Sequence, residues 1–385
     1  MSHGPYSGLL VIDLTRVLAG PFCTLMLAEL GARVVKVEHP EDGDDARHFE
    51  PFIDGQSAYF QSLNRGKESI ALDLKEPADR EVFLELVRRG DVLVENFRPG
   101  TMAKWQLGYE TLHTINPRLI YAAVSGFGQT GPWSHKPAYD LIVQALGGLM
   151  SITGFPGGPP TKAGTSIGDI TGGLFTLAGI GSALYHREKT GAGLQVDVSM
   201  LDGQIAILES AVVRYFSSGT PPGPIGNRHP SITPFEAYAT ADRAIIIAAG
   251  NDALFERLCS SLGKPELARD PRFISNSART RHADALKETL EAMLRQAPAD
   301  QWIGLFDEAG IPCSPIHTVA DAVEHPQVRA RNMIVSAGRL RMAGNPVKLS
   351  DYPDPPTRPP APELNAHGDK IRQELRDPKS EVRGE

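Results

Sequence analysis

Short apolar runs of strand length alternate with helical patterns along the N-terminal part of the chain. The run LLVIDL (residues 9–14) precedes a helical pattern over residues 22–30, which closes at Gly31, and the run RVVKVE (residues 33–38) follows. Strand, helix and strand within about thirty residues are typical of a parallel βαβ unit. This alternation restricts the chain to α/β folds with a parallel sheet.

The same alternation continues downstream with ESIALDL (68–74), a helix over 77–89 that stops at Gly90, DVLVENF (91–97) and RLIYAAVSGFG (118–128). We therefore predict a Rossmann-like α/β domain with a mostly parallel sheet. Ligands of such sheets bind beyond the carboxyl ends of the strands. The segments expected to line a site are those that directly follow strands: TRVLAG, EHPEDGDDAR, NFRPG and SGFGQTGP.

A second, smaller domain is indicated further along the chain. After GLQVDVSM (193–200) and a helical run to about Ser217, the sequence changes to GTPPGPIGNRHPSITP. Stretches rich in proline and glycine mark linkers or structured loops. The hairpin pattern AYATADRAIIIAAGND and several helices follow, and they predict a small α+β domain. The proline-rich DYPDPPTRPPAPEL predicts a stiff surface spacer ahead of a last amphipathic helix.

Charge, cysteine and histidine contents narrow the class of protein. A formal net charge of −7 argues against a nucleic acid or an anionic membrane surface as the main partner. The three cysteines lie far apart and the eleven histidines show no HExxH spacing, so we expect no disulfide framework and no metal site. No run of about 18 consecutive apolar residues occurs, so we expect a cytoplasmic protein without a membrane segment.

One carboxylate, Asp169, stands among glycines in AGTSIGDITGGLF, at the start of a helical pattern that is apolar on nearly every face and is therefore expected to be buried. An aspartate just before a helix is usually an N-cap that accepts backbone N–H groups. The helix dipole also favours its ionised form, and an ionised carboxylate can act as a nucleophile. The glycines imply the close approach of another helix or of a ligand. Capping and catalysis both remain open at this point.

Other motifs are less specific. Residues 164–168 match the G-x-S-x-G pattern of serine hydrolases, but the upstream GFPGGPPTKA cannot form the required strand, so Ser166 is expected to be a loop hydroxyl. The first turn, TRVLAGP, lacks the GxGxxG pattern of dinucleotide-binding turns. Six basic residues near strand ends could together bind phosphates: Arg16, Arg47, Lys67, Arg98, Lys104 and Lys136.

Several ordered segments resemble the family III CoA-transferases: TRVLAGP, ARVVKVEHPEDGDDAR, SAYFQSLNRGKESIALDL, DVLVENFRPG, GTSIGDITGG, the AAGND that follows GNRHPSITPF, and AGIPCSPI. The resemblance implies that Asp169, in the GD motif, is the catalytic nucleophile. It also implies an interlocked homodimer of ring-like subunits. The large domain would then comprise residues 1–216 and 326–385, and residues 217–325 would form a linker and the small domain.

By the same resemblance the co-substrate is coenzyme A, without a metal. Its expected contacts are Val17, Leu18, Ala19, His39, Leu72, Asp73, Leu74, Lys75, Asn96, Phe97, Arg98, Lys104, Lys136 and Tyr139. Phe49 and Tyr59 match aromatic positions that line the acyl pocket in the family.

The resemblance further implies that CoA moves between two carboxylic acids through an Asp169 mixed anhydride and an Asp169–CoA thioester. The polyglycine loop of formyl-CoA transferase has no equivalent here, and Leu18 stands where that enzyme has glutamine, so we expect neither formate nor oxalate as a substrate. GNRHP resembles the loop of succinyl-CoA-dependent members. We therefore expect succinyl-CoA as the donor and a dicarboxylic acceptor whose distal carboxylate pairs with Arg228 or His229; a structural role for Arg228 remains the alternative.

Three other functions stay open. A related enzyme, α-methylacyl-CoA racemase, uses a histidine in a GHD context where this chain has PAYD (137–140), and Tyr139 is a poor base at neutral pH. Exchange of an α-proton in deuterated water without an acceptor acid would indicate such a racemase. A serine hydrolase would be labelled at Ser166 by phosphonates, and an acyl-CoA carrier would bind CoA without turnover.

Overall fold

The computed structural model describes residues 4–377. These residues form two compact units: the first comprises residues 4–150, 162–221 and 325–377, and the second comprises residues 151–161 and 222–324. The strands, in chain order, are β1 (Leu10–Asp13), β2 (Arg33–Glu38), β3 (Phe52–Ile53), β4 (Gln56–Ser57), β5 (Glu68–Ala71), β6 (Val92–Glu95), β7 (Ile120–Ser125), β8 (Gln195–Ser199), β9 (Phe235–Ala239), β10 (Ala244–Ala248), β11 (Cys313–Pro315), β12 (Ile334–Ala337), β13 (Leu340–Ala343) and β14 (Thr357–Arg358).

The helices, in chain order, are α1 (Ala19–Glu29), α2 (Ala58–Asn64), α3 (Pro77–Arg89), α4 (Thr101–Lys104), α5 (Tyr109–Ile115), α6 (Asp140–Leu146), α7 (Leu149–Ile152), α8 (Ile167–Thr190), α9 (Met200–Ile207), α10 (Ser210–Ser218), α11 (Asp252–Ser261), α12 (Asn276–Arg281), α13 (Ala283–Leu294), α14 (Ala299–Glu308), α15 (Val319–Glu324), α16 (Pro326–Ala330) and α17 (Gly368–Arg376). Two short 3₁₀ turns, Asp45–His48 and Pro265–Arg269, complete the set.

The first unit is built on a six-stranded sheet in the order β5-β2-β1-β6-β7-β8, and every neighbouring pair is parallel. The strands β1, β2, β6 and β7 are buried along their whole length. Such burial is expected of a parallel sheet that carries helices on both faces. The prediction of an α/β fold with a mostly parallel sheet is confirmed.

Alternate residues of β1 belong to two different cores. Ile12 packs with α3, α5 and α17 on one face of the sheet. Val11 packs with α1 and α8 on the other face. Because side chains alternate along a strand, the continuous apolar run LLVIDL supplies both cores at once.

The order of the strands creates a crevice between β1 and β6. From β1 the chain proceeds outward through β2 and β5, and it returns at β6 on the other side of β1. The connections that follow β1 and β6 therefore diverge, and ligands of open α/β sheets bind at such a switch point. The segments after these two strands are TRVLAG and NFRPG.

One predicted element has the expected extent, and two others differ from the prediction. The helix over residues 77–89 is found as α3, with a proline in its first turn and arginines in its last turn. The single helical run expected up to Ser217 is instead the pair α9 and α10, because Glu209 between them has a φ of 52°. The strand expected over ESIALDL ends at Ala71.

The helix α8 is not buried on every face, contrary to the sequence-based expectation. Its side chains Leu174, Phe175 and Tyr185 are 44%, 42% and 67% exposed. By length and composition the helix is also apolar enough to cross a membrane. It packs, however, against α1, β7, β8 and α9, as a core helix does.

The proline-rich segment is more than a spacer. It contributes β14, which pairs in parallel with β12. The buried Arg358 donates to Glu29 of α1 at 2.8 Å, and the carbonyl oxygen of Pro362 accepts from Arg47 at 3.1 Å. The segment is therefore bound along the first unit by ion pairs and hydrogen bonds.

The second unit contains an antiparallel sheet in the order β11-β10-β9. The predicted hairpin is present as β9 and β10, with Tyr238 opposite Ile245. The helices α11, α13 and α14 cover the sheet with a separate apolar core that includes Phe255, Leu290 and Phe306.

Candidate active site

Two cavities open at the carboxyl end of the parallel sheet, and the loop after β1 borders both. Cavity A, of about 340 Å³, is lined by Leu14, Thr15 and Arg16 together with residues that follow β2 and β5. Cavity B, of about 270 Å³, is lined by Arg16, Val17 and Leu18 together with residues that follow β6 and β7. Asp169 lies in the wall of cavity B.

The residues expected to bind CoA divide between these cavities. Those that line cavity A are His39, Leu72, Asp73, Leu74, Lys75 and Phe97. Those that line cavity B are Val17, Leu18, Ala19, Asn96, Phe97, Arg98, Lys136 and Tyr139. Lys104 ends α4, is exposed and lines neither cavity.

Asp169 is the third residue of α8, so it does not occupy the N-cap position, which was one of the two roles that the sequence left open. The cap position belongs to Ser166, whose side chain makes no capping hydrogen bond. The carboxylate that accepts a backbone N–H at the start of α8 comes from another helix. Oδ1 of Asp140, the first residue of α6, accepts the backbone N–H of Gly168 at 2.8 Å. The side chain of Asp169 is therefore free of the capping role.

The glycines around Asp169 make room for neighbouring helices. A β-carbon on Gly168 would lie 2.6 Å from a methyl carbon of Val143 in α6, and one on Gly173 would lie 2.7 Å from the carbonyl oxygen of Ala19 in α1. Of the two explanations that the sequence left open, the structure shows the approach of other helices. This contact places the start of α1 beside the first turns of α8.

Burial and a neighbouring carboxylate raise the pKa of Asp169 to about 7. Desolvation is the larger cause, and the charge of Asp140 is the smaller one. A helix N-terminus favours an ionised carboxylate, but desolvation disfavours it, and here desolvation prevails. The proton of Asp169 is therefore lost close to neutral pH, whereas its position in the first turn of a helix favours a carboxyl that ionises at much lower pH.

The aromatic pair Phe49 and Tyr59 forms an edge-to-face contact with ring centroids 5.6 Å apart. Burial, together with the smaller effects of the negative charges of Asp169, Asp44 and Asp140, raises the pKa of Tyr59 to about 12. The hydroxyl group of Tyr59 thus stays protonated at neutral pH and remains a hydrogen-bond donor near these carboxylates.

Two of the six basic residues considered for phosphates are committed to the protein. The ammonium group of Lys67 is fully buried and donates to Asp13 at 2.9 Å, and Arg47 donates to Glu38 at 2.7 Å. Burial lowers the pKa of Lys67 to about 8, although Asp13 acts in the opposite direction. Arg16, Arg98 and Lys136 line cavity B and can meet an anionic ligand there. The ammonium group of Lys136 lies 3.5 Å from the ring centroid of Trp133.

Arg228 and His229 belong to the second unit. The guanidinium group of Arg228 is paired with Glu236 at 3.0 Å and with Asp284 at 2.8 Å. His229 packs against Phe235, with ring centroids 5.4 Å apart. Their expected contact with a substrate carboxylate stays a prediction.

The structure gives no support to two other kinds of site among the described residues. The described segment between β7 and α8 contains no strand, so Ser166 lacks the strand that a nucleophile elbow requires. His39, Glu41 and Asp42 bring possible metal-ligand atoms within 4.8 Å of one another, but all three side chains are exposed, and exposed acidic groups cluster commonly without a metal.

Sequence reasoning missed Asp140 and Asp44. Asp140 was visible as the first residue of the apolar pattern DLIVQAL, and Asp44 stands in the segment EDGDDAR that follows β2. Neither pattern indicates which backbone N–H group the carboxylate binds, because the partners are distant in the sequence. Asp140 binds the N–H of Gly168, 28 residues away, and Asp44 binds the N–H of Val17, 27 residues away.

Comparison with known proteins gives consistent matches over nearly the whole chain. A family model described as CoA-transferase family III matches residues 6–368. The chain is 52% identical over 378 residues to acetyl-CoA:oxalate CoA-transferase of Acetobacter aceti, and the aligned region covers 98% of this chain and 97% of that protein. It is 40% identical over 383 residues to succinate–glutarate CoA-transferase of Agrobacterium fabrum, with 96% of each covered. A crystal structure of a CAIB/BAIF family protein from Brucella suis superposes with a TM-score of 0.85 at 40% identity, covering 97% of this chain and 100% of that one.

Proposed function

The chain belongs to CoA-transferase family III, and on that premise we propose that it moves CoA from an acyl-CoA donor to a dicarboxylic acid with Asp169 as the covalent nucleophile. The observation that carries this proposal is the position of Asp169 in the wall of cavity B, in the first turn of α8 and free of the capping role.

The proposed reaction conserves the activated acyl bond throughout. The Asp169 carboxylate attacks the thioester carbonyl, the C–S bond breaks, and the CoA thiolate leaves an aspartyl mixed anhydride behind. The thiolate then attacks the aspartyl carbonyl carbon, which releases the first acid as a carboxylate and forms an Asp169–CoA thioester. The acceptor carboxylate enters, and the two steps run in reverse.

The surroundings of Asp169 support distinct parts of this chemistry. Its ionised form is the nucleophile, and a pKa of about 7 keeps a large fraction ionised at neutral pH. The start of α1, where backbone N–H groups lack intrahelical acceptors, borders the same cavity through Leu18 and Ala19. We assign stabilisation of the developing oxyanions to these backbone N–H groups.

The substrate pair is the finer part of the proposal. The sequence argued against oxalate because the polyglycine loop is absent, yet the relative with 52% identity is named for oxalate and acetyl-CoA. We therefore include oxalate, the shortest dicarboxylic acid, among the proposed acceptors, beside glutarate, mesaconate and citramalate. Acetyl-CoA joins succinyl-CoA as a proposed donor for the same reason.

We also propose a homodimer. Large apolar side chains remain exposed on α8 and α10 of the first unit, among them Phe175, Tyr185, Val213 and Phe216. Exposed apolar surface of this kind marks an interaction site in soluble proteins. Sedimentation equilibrium should give twice the chain mass of 41.6 kDa, and a monomer at micromolar concentration would contradict the dimer.

Trapping of the acyl-enzyme tests the nucleophile. Incubation with acetyl-CoA or succinyl-CoA and then hydroxylamine should convert Asp169 to a hydroxamate, which peptide mass spectrometry locates. The Asp169→Ala variant is the control and should give no adduct. A panel of acids then identifies the acceptor, and exchange of an α-proton in deuterated water without any acid would favour the racemase instead.

A further inference from the structure

Val17, in the loop after β1, has a backbone conformation that a valine rarely adopts. Its φ is 68°, in the left-handed region. A β-branched side chain is disfavoured there, because its β-carbon and branches crowd the backbone. Such a residue persists only where the surroundings determine its conformation, and it is found most often at functional sites.

Two polar side chains hold the backbone that leads into Val17. The side chain of Asn96, just after β6, accepts the N–H of Arg16 at 2.8 Å and donates to the carbonyl oxygen of Arg16 at 2.8 Å. Oδ1 of Asp44 accepts the N–H of Val17 at 2.9 Å. The two peptide groups that flank the α-carbon of Arg16 are therefore held by side chains from two other loops.

Asp44 is itself a rigid anchor. Its Oδ2 lies 2.9 Å from Nζ of Lys36, and neither side chain is exposed. Oδ1 of Asp44 also accepts the N–H of Ala46 at 2.9 Å. Lys36 in turn donates to the carbonyl oxygen of Thr15 at 2.7 Å, so the residue before Arg16 is bound to the same buried ion pair.

The conformation of Val17 decides where the chain enters α1. The next residues, Leu18 and Ala19, line cavity B together with Asp169, while Asp44 lines cavity A. A change of φ at Val17 would swing Leu18 and the start of α1 away from the nucleophile. Because a misplacement of about 1 Å can cost on the order of 100-fold in rate, this geometry bears on the reaction.

We propose that Asp44 and Asn96 are positioning residues, which hold Val17 in the left-handed conformation and thereby place the start of α1 against Asp169. The inference rests on the proposed function. It assigns the side chain of Asn96 to the protein backbone, although the family resemblance predicted it as a contact of CoA.

A double-mutant cycle tests the proposal. Asn96→Ala should slow single-turnover formation of the Asp169 adduct from acetyl-CoA by about 10- to 100-fold. Glycine adopts the left-handed conformation without steric cost, so in the Val17→Gly background the same Asn96→Ala change should cost at least about fivefold less. Asp44→Asn keeps an acceptor for the Val17 N–H and should lose less than Asp44→Ala.

The Gln106→Gly variant serves as the control for the Val17→Gly background. Gln106 is exposed, also has a positive φ, of 57°, and lines neither cavity, so the cost of Asn96→Ala should be unchanged in this background. An equal cost in the Val17 and Val17→Gly backgrounds would overturn the proposal, because a direct contact of Asn96 with CoA predicts that equality. If the unaltered protein forms no adduct, the proposed function fails. The cost of Asn96→Ala in each background is then measured as the change in the Kd for CoA by calorimetry.

Discussion

The carboxylate of Asp140 accepts the backbone N–H of Gly168 at 2.8 Å and in this way stands beside Asp169, whose pKa it helps to raise. This one contact has two consequences. It provides a hydrogen-bond acceptor for a backbone N–H in the first turn of α8, and it places a negative charge near the residue proposed as nucleophile.

Replacement of Asp169 by asparagine should remove activity and leave the fold intact. The amide has nearly the same shape as the carboxylate but is not a nucleophile, so we expect CoA transfer to fall by at least about 10³-fold. Transfer measured by chromatography of the acyl-CoA products checks this. A variant that still exchanges CoA at the native rate would exclude Asp169 as the nucleophile.

The same Asp169→Asn variant should be more stable than the native protein at pH 8. A carboxyl whose pKa is raised on folding binds its proton more tightly when folded, so its ionisation costs stability as pH rises from the unfolded value toward about 7. The Tm difference between the two proteins should therefore be positive at pH 8 and vanish near pH 4. An equal difference at both pH values would contradict the raised pKa.

The activity should fall as pH decreases through about 7, since protonation removes the nucleophile. Asp140→Asn removes a neighbouring negative charge but keeps an oxygen for the Gly168 N–H. The acidic limb of kcat/KM should then move to lower pH. A limb that stays in place would show that Asp140 does not influence the ionisation of Asp169.

Gly173→Ala should destabilise the first unit by about 1–3 kcal/mol, because the new β-carbon would meet the carbonyl oxygen of Ala19, which is backbone and cannot turn aside. Urea unfolding measures the effect. Gly181→Ala on the same helix is the matched control, since the nearest atom there is the Tyr6 hydroxyl at 3.4 Å, an ordinary contact. Equal losses in the two variants would refute the close packing of α1 on α8.

Lys67→Met should cost about 3–5 kcal/mol of unfolding free energy, because it removes a fully buried partner of Asp13. Arg88→Met removes the pairs of a 43% exposed arginine with Glu81 and Glu85, whose side chains are 65% and 28% exposed, and it should cost less than about 1 kcal/mol. Denaturant titration of both variants measures the two losses of unfolding free energy. Similar costs would mean that the buried pair contributes no more than a surface pair.

Arg228→Ala should raise the KM for a dicarboxylic acceptor by roughly tenfold, with little change for a monocarboxylic one, because a charge-assisted hydrogen bond to the distal carboxylate would be lost. Asp284→Ala breaks the ion pair with Arg228 and leaves the guanidinium in place, so it serves as the control. If KM for the dicarboxylic acid is the same in Arg228→Ala, the residue is structural.

The sequence by itself determined the class of fold and the candidate nucleophile. The apolar runs that became β1, β2, β6 and β7 are local patterns with the length and composition of buried strands, and they can be recognised without knowledge of their neighbours. The residues around Asp169 by themselves left capping and catalysis open, and it was the family resemblance, carried in part by the GD motif, that implied Asp169 as the candidate nucleophile.

Only the tertiary structure decided how that carboxylate is held and charged. The acceptor for Gly168 comes from α6, Gly168 and Gly173 of α8 face α6 and α1, and Asp44 and Asn96 from two other loops bind the backbone that leads into Val17. These are contacts between segments that lie far apart in the chain. The same holds for the pKa of Asp169, since burial and the approach of a second carboxylate arise only when the chain has folded.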